Sequence, residues 1–114
     1  MRPRRGEVTP LVSPKIGFRR PVETELVMVL QVDRATRHLS TAIVAPVEAR
    51  FDPDRLLDFD VVVLAADLGI ARDHVVHVHL MRAVLLDALQ GEPVGAADPA
   101  TMARVLRAER LLLG

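Results

Sequence analysis

The two stretches Leu26-Val27-Met28-Val29-Leu30 and Thr41-Ala42-Ile43-Val44-Ala45-Pro46-Val47 decide the fold of this chain. Short continuous apolar runs rich in strand formers are typical of strands that are buried on both faces. The residues between them, Asp33 to Leu39, are polar and predict a turn, so the two strands should form a hairpin. Because Pro46 has no backbone N–H, we expect it at a sheet edge or at a strand end.

Further elements are predicted on both sides of this hairpin. Strands are expected at residues 8–12, where Pro10 weakens the pattern, at residues 61–64 and at residues 75–81; loops or turns are expected at residues 13–21, 52–54, 67–69 and 91–98. The alternation in residues 75–81 would place His77 and His79 on one face of a strand.

The clearest helix of the chain runs from Asp98 to Gly114. Asp98 is a good N-cap, Pro99 suits the first helical position, and Gly114 is suited to the C-terminal end. The predicted apolar stripe consists of Met102, Val105, Leu106, Leu112 and Leu113. Hairpin-connected strands followed by a helix predict an α+β fold with a small barrel-like antiparallel sheet.

Length and composition exclude several classes of protein. The 114 residues fit one domain, residues 1–114, and half of them are apolar. The chain has no Cys, which excludes disulfides, a thiol nucleophile and cysteine-ligated zinc. No apolar stretch approaches the roughly 20 residues of a membrane-spanning helix, and no signal-peptide core is present. We therefore expect a soluble cytoplasmic protein that does not bind membranes.

The charges are distributed unevenly along a chain with no net charge. Residues 1–20 contain six basic residues and one acidic residue, which gives +5, and the remainder carries −5. Zero net charge argues against a dedicated nucleic-acid-binding protein. The basic N-terminal segment is suited to contact phosphates or an acidic partner, and the simpler alternative is that solvent surrounds it.

Six short motifs occur in an order that resembles a known family. They are Arg4-Arg5-Gly6-Glu7-Val8, residues 26–33, Ser40-Thr41-Ala42-Ile43-Val44-Ala45-Pro46, Arg72-Asp73-His74-Val75-Val76, Met81-Arg82-Ala83-Val84, and residues 91–105. Together they resemble the MazF/PemK toxin family, which shares its fold with the CcdB toxins. The resemblance covers nearly the whole chain.

The resemblance implies a fold, an activity and partners. The fold would be a strongly curved antiparallel sheet, an SH3-like barrel of the CcdB/MazF type, with a C-terminal helix. The activity would be cleavage of single-stranded RNA without a metal or other cofactor. The partners would be a second copy of the chain in a homodimer, an antitoxin protein that wraps the toxin, and the RNA.

The two positions that hold the family's catalytic residues differ in this chain. The family's Arg aligns with Glu25, and its Thr or Ser aligns with Glu48. A carboxylate about 4 Å from a phosphate costs on the order of 4 kcal/mol near a protein surface, so the inherited mechanism should fail. Two arrangements could restore a catalytic site. In the first, Arg20 of the triplet Arg19-Arg20-Pro21 enters the site. In the second, Glu48 acts as a general base beside Arg82 or a histidine.

Two further groups of side chains are candidates for binding. The basic and aromatic residues Lys15, Phe18, Arg19 and Arg20 are suited to RNA, while Phe18 alone would serve equally as a loop anchor. His77 and His79 have the spacing of two metal ligands on one strand. His74 and His38 would join them only if the fold brings them near. With no third ligand evident, structural histidines are the simpler interpretation, and we assign no metal.

The sequence therefore predicts the toxin component of a type II toxin–antitoxin module, an endoribonuclease if its site is active. The alternative is a catalytically degenerate binding protein on the same fold, which binds an antitoxin, gyrase or a larger complex. Gyrase is disfavoured because the chain ends in Leu112-Leu113-Gly114 and not in the Trp-Gly-Ile-like tail of the gyrase-poisoning toxins.

Overall fold

The strand Thr41–Glu48 is the longest described strand and lies at the centre of the sheet. The computed structural model describes residues 2–11, 26–89 and 91–114. The elements in these ranges are β1 Glu7–Pro10, β2 Leu26–Val29, α1 Asp33–Thr36, β3 Thr41–Glu48, β4 Asp60–Val63, α2 Ala65–Leu68, β5 His74–His77, β6 Arg82–Leu85, β7 Gly95–Ala96 and α3 Pro99–Leu113, with 3-10 turns at Pro53–Arg55, Val78–Leu80 and Leu86–Leu89.

All paired strands of the sheet are antiparallel. The strand order is β4-β5-β3-β2-β1-β7, and β6 also pairs with β3. One edge of β3 pairs with β2, while the other edge is shared by β5, at Val47 and Glu48, and β6, at residues 41–44. The prediction of a curved antiparallel sheet with a C-terminal helix is confirmed.

Apolar side chains cover both faces of the sheet. One cluster packs α3 against the sheet and contains Val8, Met28, Leu30, Ala45, Val47, Val61, Val63, Leu68, Val76, Val78, Val105 and Ala108. The second cluster lies on the other face and contains Leu11, Val27, Val29, Ala42, Val44, Val84, Ala88 and Leu89. In β2, Met28 belongs to the first cluster, and Val27 and Val29 belong to the second, as the two-residue period of a strand requires. The prediction that this strand is buried on both faces is confirmed.

Pro46 lies two residues before the end of β3, and β3 is the central strand instead of an edge strand. Its register partner on β2 is Val27. On the other edge of β3, the pairing with β6 stops at Val44 and the pairing with β5 starts at Val47. This interruption at Ala45 and Pro46 accommodates a residue that has no N–H for the ladder.

The prediction of one strand through residues 75–81 is wrong in its second half. β5 ends at His77, and the chain continues in the 3-10 turn Val78–Leu80. The Val78 N–H donates to the carbonyl of Phe59, and the Val78 side chain is fully buried in the α3-facing cluster. Burial of Val78 therefore bends the chain where the alternation predicted a straight strand.

The loop predicted at residues 91–98 also contains the two-residue strand β7, which pairs with β1.

The C-terminal helix begins and ends where the sequence predicts. A side-chain oxygen of Asp98 accepts a hydrogen bond of 2.8 Å from the Thr101 N–H, and Gly114 closes the helix with a φ of +93°. The predicted apolar stripe is wrong in part, because Leu106 is 42% exposed and Leu113 is 69% exposed. The buried line consists of Thr101, Val105 and Ala108, which lie three and four residues apart on one face. Among the described residues, every helix is too short or too polar to span a lipid bilayer.

We predict that Asp98→Ala lowers the melting temperature at neutral pH. Hydrogen bonds from the Thr101 side chain and then from its backbone N–H hold the pKa of Asp98 below its ordinary value. Because the pKa of Asp98 is lower in the folded state, its ionised carboxylate stabilises the fold at pH values above the pKa of the unfolded state. This contribution is lost as the pH falls through the pKa of the folded state. Thermal melts should therefore show a difference from the wild type that shrinks below about pH 4. Asp98→Asn keeps the cap and should be less sensitive to pH; a constant difference for Asp98→Ala at every pH would contradict the assignment.

We also predict that Gly95→Ala destabilises the protein, because β7 passes close to α2. A Cβ at Gly95 would lie 2.6 Å from the backbone oxygen of Leu68, a contact that only movement of the backbone relieves. We expect a loss of about 1–3 kcal/mol in the free energy of unfolding, measured by urea denaturation. Gly91→Ala is the matched control, since its Cβ would meet only the Pro10 ring, at 3.3 Å. Equal stability of the two variants would contradict this packing.

Candidate active site

Three neighbouring strands place polar side chains in a row on one face of the sheet. Glu48, the last residue of β3, lies opposite Val75 on β5, and His77 on β5 lies opposite Asp60 on β4. Val61 and Val76 alternate with these residues and point into the cluster beneath α3. Because side chains alternate along a strand, Glu48, His77 and Asp60 lie on the face away from α3.

The imidazole of His77 lies between the two carboxylates. Its Nδ1 is 2.7 Å from Oδ1 of Asp60, and its Nε2 is 3.5 Å from Oε2 of Glu48. The side chains are 6% exposed for Asp60, 16% for His77 and 36% for Glu48. The row therefore runs from a buried carboxylate through a half-buried imidazole to a carboxylate that solvent reaches.

His79 completes the group from the 3-10 turn that follows β5. Its Nδ1 is 3.7 Å from Oδ1 of Asp60, beyond hydrogen-bond distance, and this buried atom has no hydrogen-bond partner among residues 2–11, 26–89 and 91–114. Its ring packs edge-to-face on His77, with centroids 5.8 Å apart, and against Phe59 at 6.1 Å. Asp60, His77 and His79 thus each place one potential ligand atom within 4.8 Å of the others.

This arrangement supports two kinds of chemistry. An ionised carboxylate only accepts hydrogen bonds, so the short contact with Asp60 places the proton of neutral His77 on Nδ1. The lone pair of Nε2 then faces Oε2 of Glu48, 3.5 Å away on the side of the site that solvent reaches, where it is able to accept a proton. Alternatively, the carboxylate and two imidazoles offer the donor set of a divalent metal ion.

The other sequence candidates lie elsewhere in the fold. Arg82 on β6 is the register partner of Val44, four residues before Glu48, which corresponds to roughly 13 Å along the strand. His74 is buried, with its Nδ1 2.9 Å from the Arg72 carbonyl oxygen. His38 is exposed just after α1. Glu48 was expected to act beside Arg82 or a histidine, and the residue that lies next to it is the histidine, His77.

The candidates of the basic segment lie outside the described residues. These are Lys15, Phe18, Arg19 and Arg20 as RNA contacts, with Arg20 also as a catalytic residue, and Glu25 at the position of the family's Arg.

Asp60 is the member of the site that sequence reasoning missed. It directly precedes the apolar run Val61-Val62-Val63-Leu64, so its position at the start of a strand was visible. Its contact with His77, 17 residues later in the chain, depends on how β4 and β5 align. No local sequence pattern encodes that alignment.

The fold is shared with several solved structures. An endoribonuclease from a mycobacterial species superposes with a TM-score of 0.76 at 18% identity, covering 100% of this chain and 93% of that one. A mycobacterial endoribonuclease in complex with its cognate antitoxin gives a TM-score of 0.76 at 20% identity, with 98% and 95% covered. A MazE–MazF structure from Deinococcus radiodurans gives 0.75 at 21% identity, with 100% and 97% covered.

Sequence comparison assigns the family. No curated protein matches the chain. The family model of PemK-like, MazF-like toxins of type II toxin–antitoxin systems matches residues 4–113. With the curved sheet, the C-terminal helix and nearly the whole chain matched, this protein belongs to the PemK-like, MazF-like toxin family of type II toxin–antitoxin systems.

Proposed function

We propose that this chain is the toxin component of a type II toxin–antitoxin module and that it cleaves single-stranded RNA. The observation that supports cleavage is the imidazole of His77 between Asp60 and Glu48. Glu48 occupies the position that the family resemblance assigns to a catalytic hydroxyl residue. A proton-accepting group is therefore present where the family's chemistry would take place, although its chemical nature differs.

In the proposed reaction, His77 is the general base. Asp60 accepts a hydrogen bond from the Nδ1–H of His77 and holds the ring in one orientation. The lone pair then lies on Nε2, beside Glu48, where it takes the proton of a ribose 2′-hydroxyl. The 2′-oxygen attacks the adjacent phosphorus, and the bond from phosphorus to the 5′-oxygen breaks. The leaving 5′-oxygen takes a proton from solvent, which gives a 2′,3′-cyclic phosphate and a 5′-hydroxyl.

Glu48 stabilises the imidazolium that forms when His77 accepts the proton. Its Oε2 faces Nε2 at 3.5 Å from the solvent-exposed rim, where a proton is passed on readily. Its negative charge also disfavours a bound phosphate, by about 4 kcal/mol for unit charges 4 Å apart. We propose that the basic residues of segment 1–20 other than Arg5, which forms an ion pair of 2.7 Å with Glu109, offset this repulsion by contacting the RNA backbone.

We further propose that the chain forms a homodimer, binds an antitoxin and acts in the cytoplasm. Support for an antitoxin comes from the family and from the relatives that were solved with one. The lack of Cys agrees with a reducing compartment.

A specific observation favours a second candidate, a binding protein without catalytic activity. Asp60 and Glu48 both flank His77, and two carboxylates within one site oppose the approach of a phosphate. In this case the inherited fold would bind the antitoxin without cleaving RNA.

We predict that the purified protein cleaves a long single-stranded RNA in EDTA and that His77→Ala lowers the rate by about 10²-fold or more, the usual contribution of a general base. Asp60→Asn should also lower the rate, because an amide no longer favours the productive tautomer. Gel analysis and end-labelling measure the rate and identify the 2′,3′-cyclic phosphate. His38→Ala is the matched control, since His38 is exposed and precedes the start of β3, whereas Glu48 is the last residue of that strand.

Two results would separate the parts of this proposal. No cleavage at high protein concentration would overturn the ribonuclease function and leave the non-catalytic candidate, which binding of the antitoxin then tests. Cleavage that survives in His77→Ala would keep the ribonuclease function and overturn the catalytic assignment. Arg20→Ala, assayed alongside, then tests the alternative in which Arg20 enters the site.

A further inference from the structure

We propose that Asp60, His77 and His79 form a binding site for one divalent transition-metal ion of the zinc class. Each side chain offers one ligand atom, and these three atoms lie within 4.8 Å of one another. The set combines one carboxylate with two imidazoles, which is a donor set that zinc and ferrous ions accept.

The distances among the ligand atoms fit such an ion after small movements. Bonds of about 2.0–2.1 Å in tetrahedral geometry separate neighbouring ligand atoms by about 3.3 Å. Oδ1 of Asp60 is 2.7 Å from Nδ1 of His77 and 3.7 Å from Nδ1 of His79. These two distances must change by well under 1 Å. The third distance, between the ligand atoms of His77 and His79, lies within 4.8 Å and must shorten as well. The other oxygen of Asp60, Oδ2, accepts a hydrogen bond of 2.8 Å from the Leu57 N–H, which holds the carboxylate in place.

The Nδ1 atom of His79 is an independent observation in favour of a ligand. It is buried and has no hydrogen-bond partner in the part of the chain that the structure describes, although it faces the carboxylate of Asp60 from 3.7 Å. A buried polar atom without a partner destabilises a fold, and most buried polar atoms in proteins have a hydrogen-bond partner. A metal ion between Asp60 and the two rings would supply the missing partner.

Glu48 contacts a ligand of the proposed metal ion and not the ion itself. With a metal on Nδ1 of His77, the ring proton moves to Nε2, which faces Oε2 of Glu48 at 3.5 Å. A ligating histidine usually donates its other ring N–H to a carboxylate or carbonyl, which fixes the ring orientation. The charges also balance, because the two carboxylates together neutralise a divalent cation, and the fourth coordination position is left for water.

The metal site shares Asp60 and His77 with the proposed catalytic pair, yet the inference stands without the ribonuclease function. It rests on the positions of the ligand atoms and on the unsatisfied Nδ1 of His79. Its test measures metal binding alone, whereas the ribonuclease test is carried out in EDTA. Failure of one proposal therefore leaves the other intact.

We expect one Zn²⁺ to bind per chain when protein freed of its purification tag and stripped with EDTA is titrated against a chromophoric zinc chelator. His79→Ala and Asp60→Asn should each weaken binding by at least 10-fold, and Glu48→Gln should weaken it less. His38→Ala, the exposed control, should bind as the wild type does. Co²⁺ bound to the wild-type protein should show the visible absorption of a tetrahedral site, a readout that does not depend on whether a variant folds.

Three outcomes would overturn the site. The first is no competition with the chelator at micromolar zinc. The second is zinc binding that is unchanged in a folded His79→Ala variant, with folding checked by circular dichroism. The third is a Co²⁺ spectrum of an octahedral aqua ion, which would mean that the protein donates no such ligand set.

Discussion

Pairing of the backbone on both edges of β3 is the constraint on which the rest of the structure depends. β2 occupies one edge, and β5 and β6 divide the other, so the sheet on both sides is attached to this strand. Alternate side chains of β3 enter the two apolar clusters, with Ala45 and Val47 beneath α3 and Ala42 and Val44 on the other face. The last residue of the same strand is Glu48, so the position of the candidate site is fixed by the most constrained element of the fold.

The interrupted edge of β3 also creates the geometry of the site. A continuous strand through residues 74–85 would place His77 and His79 on one face but would extend the backbone between them. The ladder is instead interrupted at Ala45 and Pro46. The segment that connects β5 to β6 forms the 3-10 turn Val78–Leu80 opposite this interruption. The turn directs Val78 into the core and brings the ring of His79 to within 5.8 Å of His77 and 3.7 Å of Asp60, measured from its Nδ1.

The sequence predicted the elements whose signals are local. The apolar runs of β2 and β3 and the caps of α3 at Asp98 and Gly114 each lie within a few residues, and the family motifs supplied the order in which these elements pack. The candidate site was predicted only in part: Glu48, His77 and His79 were named, but Asp60 was not. The contact between Asp60 and His77 depends on the register of β4 against β5, and the two-residue strand β7 exists only through its pairing with β1. Long-range pairing of this kind leaves no periodic signal in the chain.

The two uses proposed for the cluster exclude each other, because both depend on Asp60. As a hydrogen-bond acceptor, it holds the proton of His77 on Nδ1 and leaves the lone pair on Nε2, beside Glu48, for the proposed base. As a ligand of the proposed metal ion, it would share that ion with the imidazoles of His77 and His79. An ion on Nδ1 of His77 would require the ring proton to lie on Nε2, facing Glu48. One imidazole cannot hold both tautomers, so a bound ion removes the base by the same step that satisfies the buried nitrogen of His79. Because the two tautomers place the free lone pair on opposite sides of the ring, the metal and the RNA would compete for His77 without having to occupy the same space.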